Sequence, residues 1–243
     1  MLVAVRTSIL GAAFIALAPQ LARANNAGGP NDAPDEVAEL HCTEHERLVM
    51  WATGDLNGDG RQDLATIVER SPSTPEEKDD DTYAPPRVLR LYVRTKPGHL
   101  ALSGEFPRSV RPSKCSSRFA DLLQTLNIEP DGSVGVERLD DETFEPSVFN
   151  DYFHRRGKRW FYIGGRTRTA YCQSAKCGEF NGSDDSKLDL QRRRCTNSGR
   201  VTVLAQRFKP VPLETYDADN PLYVFDGCDV RANTALRKVR AKK

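Results

Sequence analysis

No stretch of this 243-residue chain stays apolar for long enough to form a lasting membrane span. Its most concentrated apolar run, Ile9 to Leu17, is too short for an anchor, so no span is expected in the mature chain. Net charge is nearly absent as well. The 35 Lys and Arg residues stand against 34 Asp and Glu, and such a balance predicts neither general polyanion affinity nor a specific nucleic-acid partner. Histidine is scarce, at four residues, and His99 and His154 are isolated. There is no Gly-x-Ser-x-Gly elbow, no phosphate-cradling glycine loop and no dinucleotide fingerprint. Those three sequence signs of an enzyme are therefore missing, and the expected role is not catalytic.

What is present begins with an export signal. Arg6 supplies a positive n-region, Ile9 to Leu17 an apolar core, and Ala22-Arg23-Ala24 a small-x-small cleavage site. Residues 1–24 are read as a cleaved signal peptide, which makes the mature chain secreted or periplasmic. All six cysteines, Cys42, Cys115, Cys172, Cys177, Cys195 and Cys228, lie beyond that site. An even count in an oxidising compartment predicts three disulfides, with all 15 pairings open.

The densest chemical signal is Gly54-Asp55-Leu56-Asn57-Gly58-Asp59-Gly60-Arg61-Gln62-Asp63-Leu64. Oxygen-bearing side chains recur at positions 1, 3, 5 and 9 of a glycine-bent loop, the spacing that surrounds a hard divalent cation. Asp55, Asn57, Asp59 and Asp63 offer side-chain oxygens and Arg61 a backbone carbonyl, with Gly60 where the loop turns sharply. Ca²⁺ is the expected cofactor. Position 12 is Thr66 rather than a bidentate Glu, and the flanks Leu48–Thr53 and Leu64–Glu69 have strand character rather than helical periodicity.

Strand, acidic loop and strand together resemble the FG-GAP repeat of integrin-type propeller blades. One copy is too few for a full propeller. The chain is similar to exported bacterial proteins of unknown function that carry one such loop near the mature N-terminus of a β-rich domain. That resemblance rests on the loop and on the strand Val88–Val93. It rests further on an Asp-Gly turn before a strand, the aromatic-basic strand Lys158–Tyr162, a Ser-Gly-Arg-Val-Thr-Val turn-strand, and the segment Pro212 to Tyr216. It implies a mainly β, single disulfide-bonded domain of antiparallel sheets with at most one or two short helices.

Along the chain, residues 25–40 are Gly-, Asn- and Pro-rich and are expected to form a flexible lead-in to a β-rich domain over 41–230. Residues 71–86 have the composition of a long solvated loop, and 231–243 form a basic tail. Pro130–Ser133 and Asn197–Gly199 are predicted hairpin turns. Phe119, Leu122, Leu123 and Leu126 share a helical face, which predicts a short helix over Ser117–Leu126.

Between Arg155 and Lys209 there are 14 Lys and Arg and four Asp and Glu, a local balance of +10. Arg166 and Arg168, two residues apart, are the candidates for an anion-binding strand face, with Trp160, Phe161 and Tyr162 beside them. The partner class this suggests is a protein or an anionic glycan or envelope component. The leading reading is a calcium-loop binding module of unspecified partner. The alternative is a zinc-dependent hydrolase built on His41-Cys42-Thr43-Glu44-His45, a His-x-x-Glu-His match.

Overall fold

The strands predicted on either side of the acidic loop form one hairpin. The computed structural model describes residues 26–40, 45–72, 74, 84–112, 123–140, 147–169, 184–219, 221, 223–226 and 228–232. Strand β2 (Glu46–Gly54) pairs antiparallel with β3 (Asp63–Arg70), from Gly54 opposite Asp63 to Glu46 opposite Arg70, with a bulge between Leu48 and Met50. β3 is buried from Asp63 through Glu69. That explains its almost unbroken apolar reading, since both of its faces are covered.

β4 (Arg87–Lys96) and β5 (His99–Phe106) extend the hairpin on one side. The two-residue strand β1 (Ala27–Gly28) adds to the other, completing a sheet in the order β1-β2-β3-β4-β5. A second sheet is an antiparallel meander of β6 (Leu123–Ile128), β7 (Val134–Asp140), β8 (Ser147–Arg156), β9 (Arg159–Thr169), β10 (Asp184–Asp189), β11 (Arg194–Asn197) and β12 (Arg200–Val203). β13 (Val211–Pro212) pairs with β9. β14 (Tyr223–Asp226) and β15 (Asp229–Ala232) form a separate hairpin. Among the described residues the one α-helix is α1 (Asp35–Glu39), five residues long. The fold is mainly β, made of antiparallel sheets with no closed barrel.

The principal core lies between the sheets. Ala65, Ile67, Leu89 and Leu91 of the first meet Leu126, Val136, Phe153 and Tyr162 of the second. A smaller core covers the other face of the first sheet, where Leu48, Trp51, Val68 and Val88 pack with Val37 of α1. The segment expected to be a flexible lead-in is therefore structured from residue 26 onward. Val37 is 3% exposed, the Trp51 indole N–H donates to the Gly29 carbonyl at 3.0 Å, and β1 pairs with β2. The physical reason is that β2, β3 and β4 are apolar on both faces, and the second face needs a cover.

The expected helix over Ser117–Leu126 is also corrected where it is described. Residues 117–122 lie outside the described residues, but Leu123 to Leu126 belong to β6. A bulge between Leu123 and Thr125 sets Leu123, Leu126 and Ile128 on the buried face. An extra residue in a strand turns a spacing of two into three and so imitates a helical repeat. The predicted turn at Pro130–Ser133 joins β6 to β7 and that at Asn197–Gly199 joins β11 to β12. Cys195 and Cys228 form a disulfide tying β11 to the β14–β15 hairpin. Cys42, Cys115, Cys172 and Cys177 fall outside the described residues.

Candidate metal centre

The loop from Asp55 to Gln62 connects β2 to β3, and its conformation is written in its own residues. Gly58 and Gly60 take φ of 78° and 79°, a region that an L side chain adopts at a cost, so the two glycines let the chain curl. The Asp55 carboxylate faces into that curl. Its Oδ1 accepts backbone N–H groups from Asn57, Gly58 and Asp59 at 3.2, 2.7 and 3.1 Å, and its Oδ2 accepts that of Gly60 at 2.6 Å. Asn57 Oδ1 accepts the Asp59 N–H, and Asp59 Oδ1 accepts that of Arg61, both at 2.9 Å. The side chains at positions 1, 3 and 5 thus organise the backbone of their own loop.

Asp63 plays a different part. It is fully buried at the start of β3, where Oδ2 accepts the Leu56 N–H at 2.9 Å and Oδ1 the Arg94 N–H of β4 at 2.7 Å. Burial pushes its carboxyl above the usual range, and the nearby charges of Asp59 and Asp55 push the same way, against the two backbone N–H groups. Asp55, Asp59 and Asp63 are accordingly within electrostatic reach of one another. Among the described residues none of the three forms an ion pair with a cationic side chain. The neighbouring arginines are engaged elsewhere: Arg61 donates to the Thr95 carbonyl at 2.6 Å, and Arg94 donates to the Gln62 carbonyl at 2.8 Å and pairs with Glu36 at 2.8 Å.

The loop also joins the two sheets. Leu56 points into the core between them and is 1% exposed. Gly132, in the β6–β7 turn, approaches so closely that an added Cβ would lie 2.9 Å from the Asp55 carbonyl oxygen.

The donor chemistry suits a hard cation, since every candidate ligand atom is oxygen and a carboxylate that accepts N–H bonds still has lone pairs to offer. The carboxylates are arranged around the backbone rather than around a common point. Among the described residues, no three His, Cys, Asp or Glu side chains are grouped as a metal cluster.

The other candidates are placed as follows. Arg166 and Arg168 both lie on β9 and both are engaged, Arg166 with Asp185 and Arg168 with Glu137 at 2.7 Å. Arg166 keeps the Asp185 carboxyl below its usual range. The aromatic trio divides. Trp160 and Tyr162 are buried in the core, while Phe161 is half-buried on the outer face. His41 and Glu44 lie outside the described residues. His45 immediately precedes β2, and its carbonyl accepts the Ser71 N–H at 2.9 Å, so it is part of a strand entry.

A buried charge cluster went unseen in the sequence. Asp151 lies 3.7 Å from Arg138. Burial drives its carboxyl upward against the Arg138 charge and the Tyr216 hydrogen bond. Its only sequence sign is an aspartate on the same strand face as Phe153. The adjoining cavity is about 10 Å³, room for a single water and not for a substrate, so the cluster is a buried polar tie between strands. Comparison of the chain with protein-family models, curated proteins and solved structures finds no match.

Proposed function

We propose that this protein is an exported binding module whose β2–β3 loop holds one calcium ion as a structural brace. The observation that carries the reading is the joint itself. Asp55 and Asp59 of the glycine-bent loop and Asp63 at its exit have no cationic partner among the described residues, and the loop is anchored at the joint of the two sheets by buried Leu56 and the close approach of Gly132. Asp55, Asn57, Asp59 and Asp63 would hold the ion through side-chain oxygens and Arg61 through its carbonyl. Bound there, the ion supplies the positive charge that the loop lacks. Asp63 then links the loop to β4 through Arg94, and Leu56 links it to the core. The Cys195–Cys228 disulfide is compatible with an oxidising compartment, which supports the export part of the reading.

The test is thermal unfolding in calcium and in chelator, with metal analysis of the purified protein. At free calcium ten times the dissociation constant, stabilisation is expected to be about 1.4 kcal/mol, a shift of a few degrees for a domain of this size. Asp59→Ala is expected to remove the shift and leave the Cys195–Cys228 bond intact. Identical curves in calcium and chelator, with no ion found, would overturn the proposal.

A further inference from the structure

The local charge of +10 is unevenly satisfied. Arg159 pairs with Glu214, Arg166 with Asp185, Arg168 with Glu137, and Arg192 lies 3.9 Å from Asp189. Arg156, Arg193 and Lys209 have no acidic partner among the described residues, and all three line one pocket of about 440 Å³. Its floor is Phe161, Leu190, Phe208 and Pro210, and its described lining contains no carboxylate. Three like charges around one open concavity repel one another although each is exposed to solvent. An anion seated among them relieves that repulsion.

The backbone supports this placement. Arg193 has φ of 52°, an uncommon conformation for a side chain of its size, in the tight turn between β10 and β11. Its carbonyl accepts the Leu204 N–H at 2.9 Å, which pins the turn beside the chain leading to Phe208 and Lys209. On the opposite wall the Arg156 guanidinium lies 5.8 Å from the centre of the Phe161 ring, a cation–π contact that holds it over the floor.

The pocket does not end there. Arg156 and Gln191 are shared with a groove of about 700 Å³ that runs along the outer face of the second sheet, past Tyr152 and His154 to the β6–β7 turn. That far arm has mixed charge. Arg166, Lys187 and Arg192 line it together with Glu129, Asp131 and Asp189, Lys187 lies 5.8 Å from the centre of the Tyr152 ring, and the buried Ser133 hydroxyl donates to Asp131. The His154 ring Nδ1 is shielded from solvent and has no hydrogen-bond partner. A strand charged at every unit, such as a single-stranded nucleic acid, must set some of its charges against those three carboxylates. A hydroxyl-rich chain donates hydrogen bonds to them. Half-buried aromatic rings beside cations suit rings that have one apolar face and carry an occasional negative group.

We propose that this groove binds an acidic oligosaccharide, with its carboxylate or sulfate seated between Arg156, Arg193 and Lys209 and its hydroxyls along the Tyr152–Asp131 arm. The proposal deepens the binding-module reading and does not depend on calcium. Titration calorimetry on the full mature chain tests it with four probes: a tetra-uronate, a sulfated hexose tetramer, a neutral hexose tetramer and a single-stranded thymidine tetramer. Each is run in calcium and in chelator. One or both acidic sugars are expected to bind, and the comparison between them tells carboxylate from sulfate. Affinity should fall as salt is raised. Arg193→Gln and Lys209→Gln are each expected to weaken binding about tenfold with unchanged melting curves, and Arg168→Gln, whose side chain is paired with Glu137 and lines neither the pocket nor the groove, by less than about twofold. The inference is overturned if neither acidic sugar binds, if the neutral tetramer binds equally, or if the thymidine tetramer binds more tightly than both sugars. A calcium-dependent melting shift without sugar binding sinks this inference alone. Sugar binding without such a shift sinks the calcium brace alone.

Discussion

At the scale of single residues, glycines of similar conformation do different work. Gly60 and Gly132 have φ of 79° and 78°. An added Cβ at Gly60 meets nothing within 4 Å, whereas at Gly132 it falls 2.9 Å from the Asp55 carbonyl oxygen. Gly60→Ala is therefore expected to cost about 1 kcal/mol, the backbone term alone. Gly132→Ala carries that cost and must also push the hairpin off the loop. Urea unfolding of the two variants checks this, and equal midpoints would show that the hairpin–loop contact is not tight. The turn at Gly132 was legible in Pro130-Asp131-Gly132-Ser133. Its contact with residue 55 was not, because it brings together parts of the chain more than seventy positions apart, and no local pattern encodes that approach.

At the scale of elements, α1 and β1 act as a cover for β2, β3 and β4. Composition marks residues 25–40 as loose because glycine, asparagine and proline favour irregular backbone. Docking is decided by the sheet they cover, whose second face presents Leu48, Trp51, Val68 and Val88. A mature chain lacking residues 25–40 is expected to lose at least about 2 kcal/mol from Val37 burial alone. Exposed Trp51 should shift its fluorescence to longer wavelength. Unchanged stability and unchanged Trp51 emission would show that the cover is dispensable. β6 teaches the related lesson that a bulge can pass for a helix: Leu123, Leu126 and Ile128 are spaced three and then two apart, and both periods were present in the sequence.

At the scale of the whole molecule, the Cys195–Cys228 disulfide closes a span of 33 residues and holds the β14–β15 hairpin to the second sheet. Loop-closure entropy for a span of this length puts its contribution at about 4 kcal/mol. The double variant Cys195→Ala with Cys228→Ala is expected to unfold at lower denaturant by that amount. A loss below about 1 kcal/mol would mean that β15, with Val230 in the core, docks without the cross-link.

The strand-loop-strand unit, the two hairpin turns and the mainly β class were determined by the sequence alone. Their causes are local: positive-φ glycines, alternating or continuous apolar runs, and side chains that bond their own backbone within a few residues. The tertiary structure alone decided which charges are spent and which are free. Arg166 and Arg168 look available in the sequence, yet strand register sets them beside Asp185 and Glu137. Arg156, Arg193 and Lys209 are scattered over more than fifty positions, yet the path of the meander and its return along 204–210 gathers them around one pocket. Asp63 likewise shows its oxygen in the sequence but not its burial, because the N–H groups it accepts come from the loop and from β4. Ion pairing and burial depend on which strands become neighbours, and that is settled by closing the core.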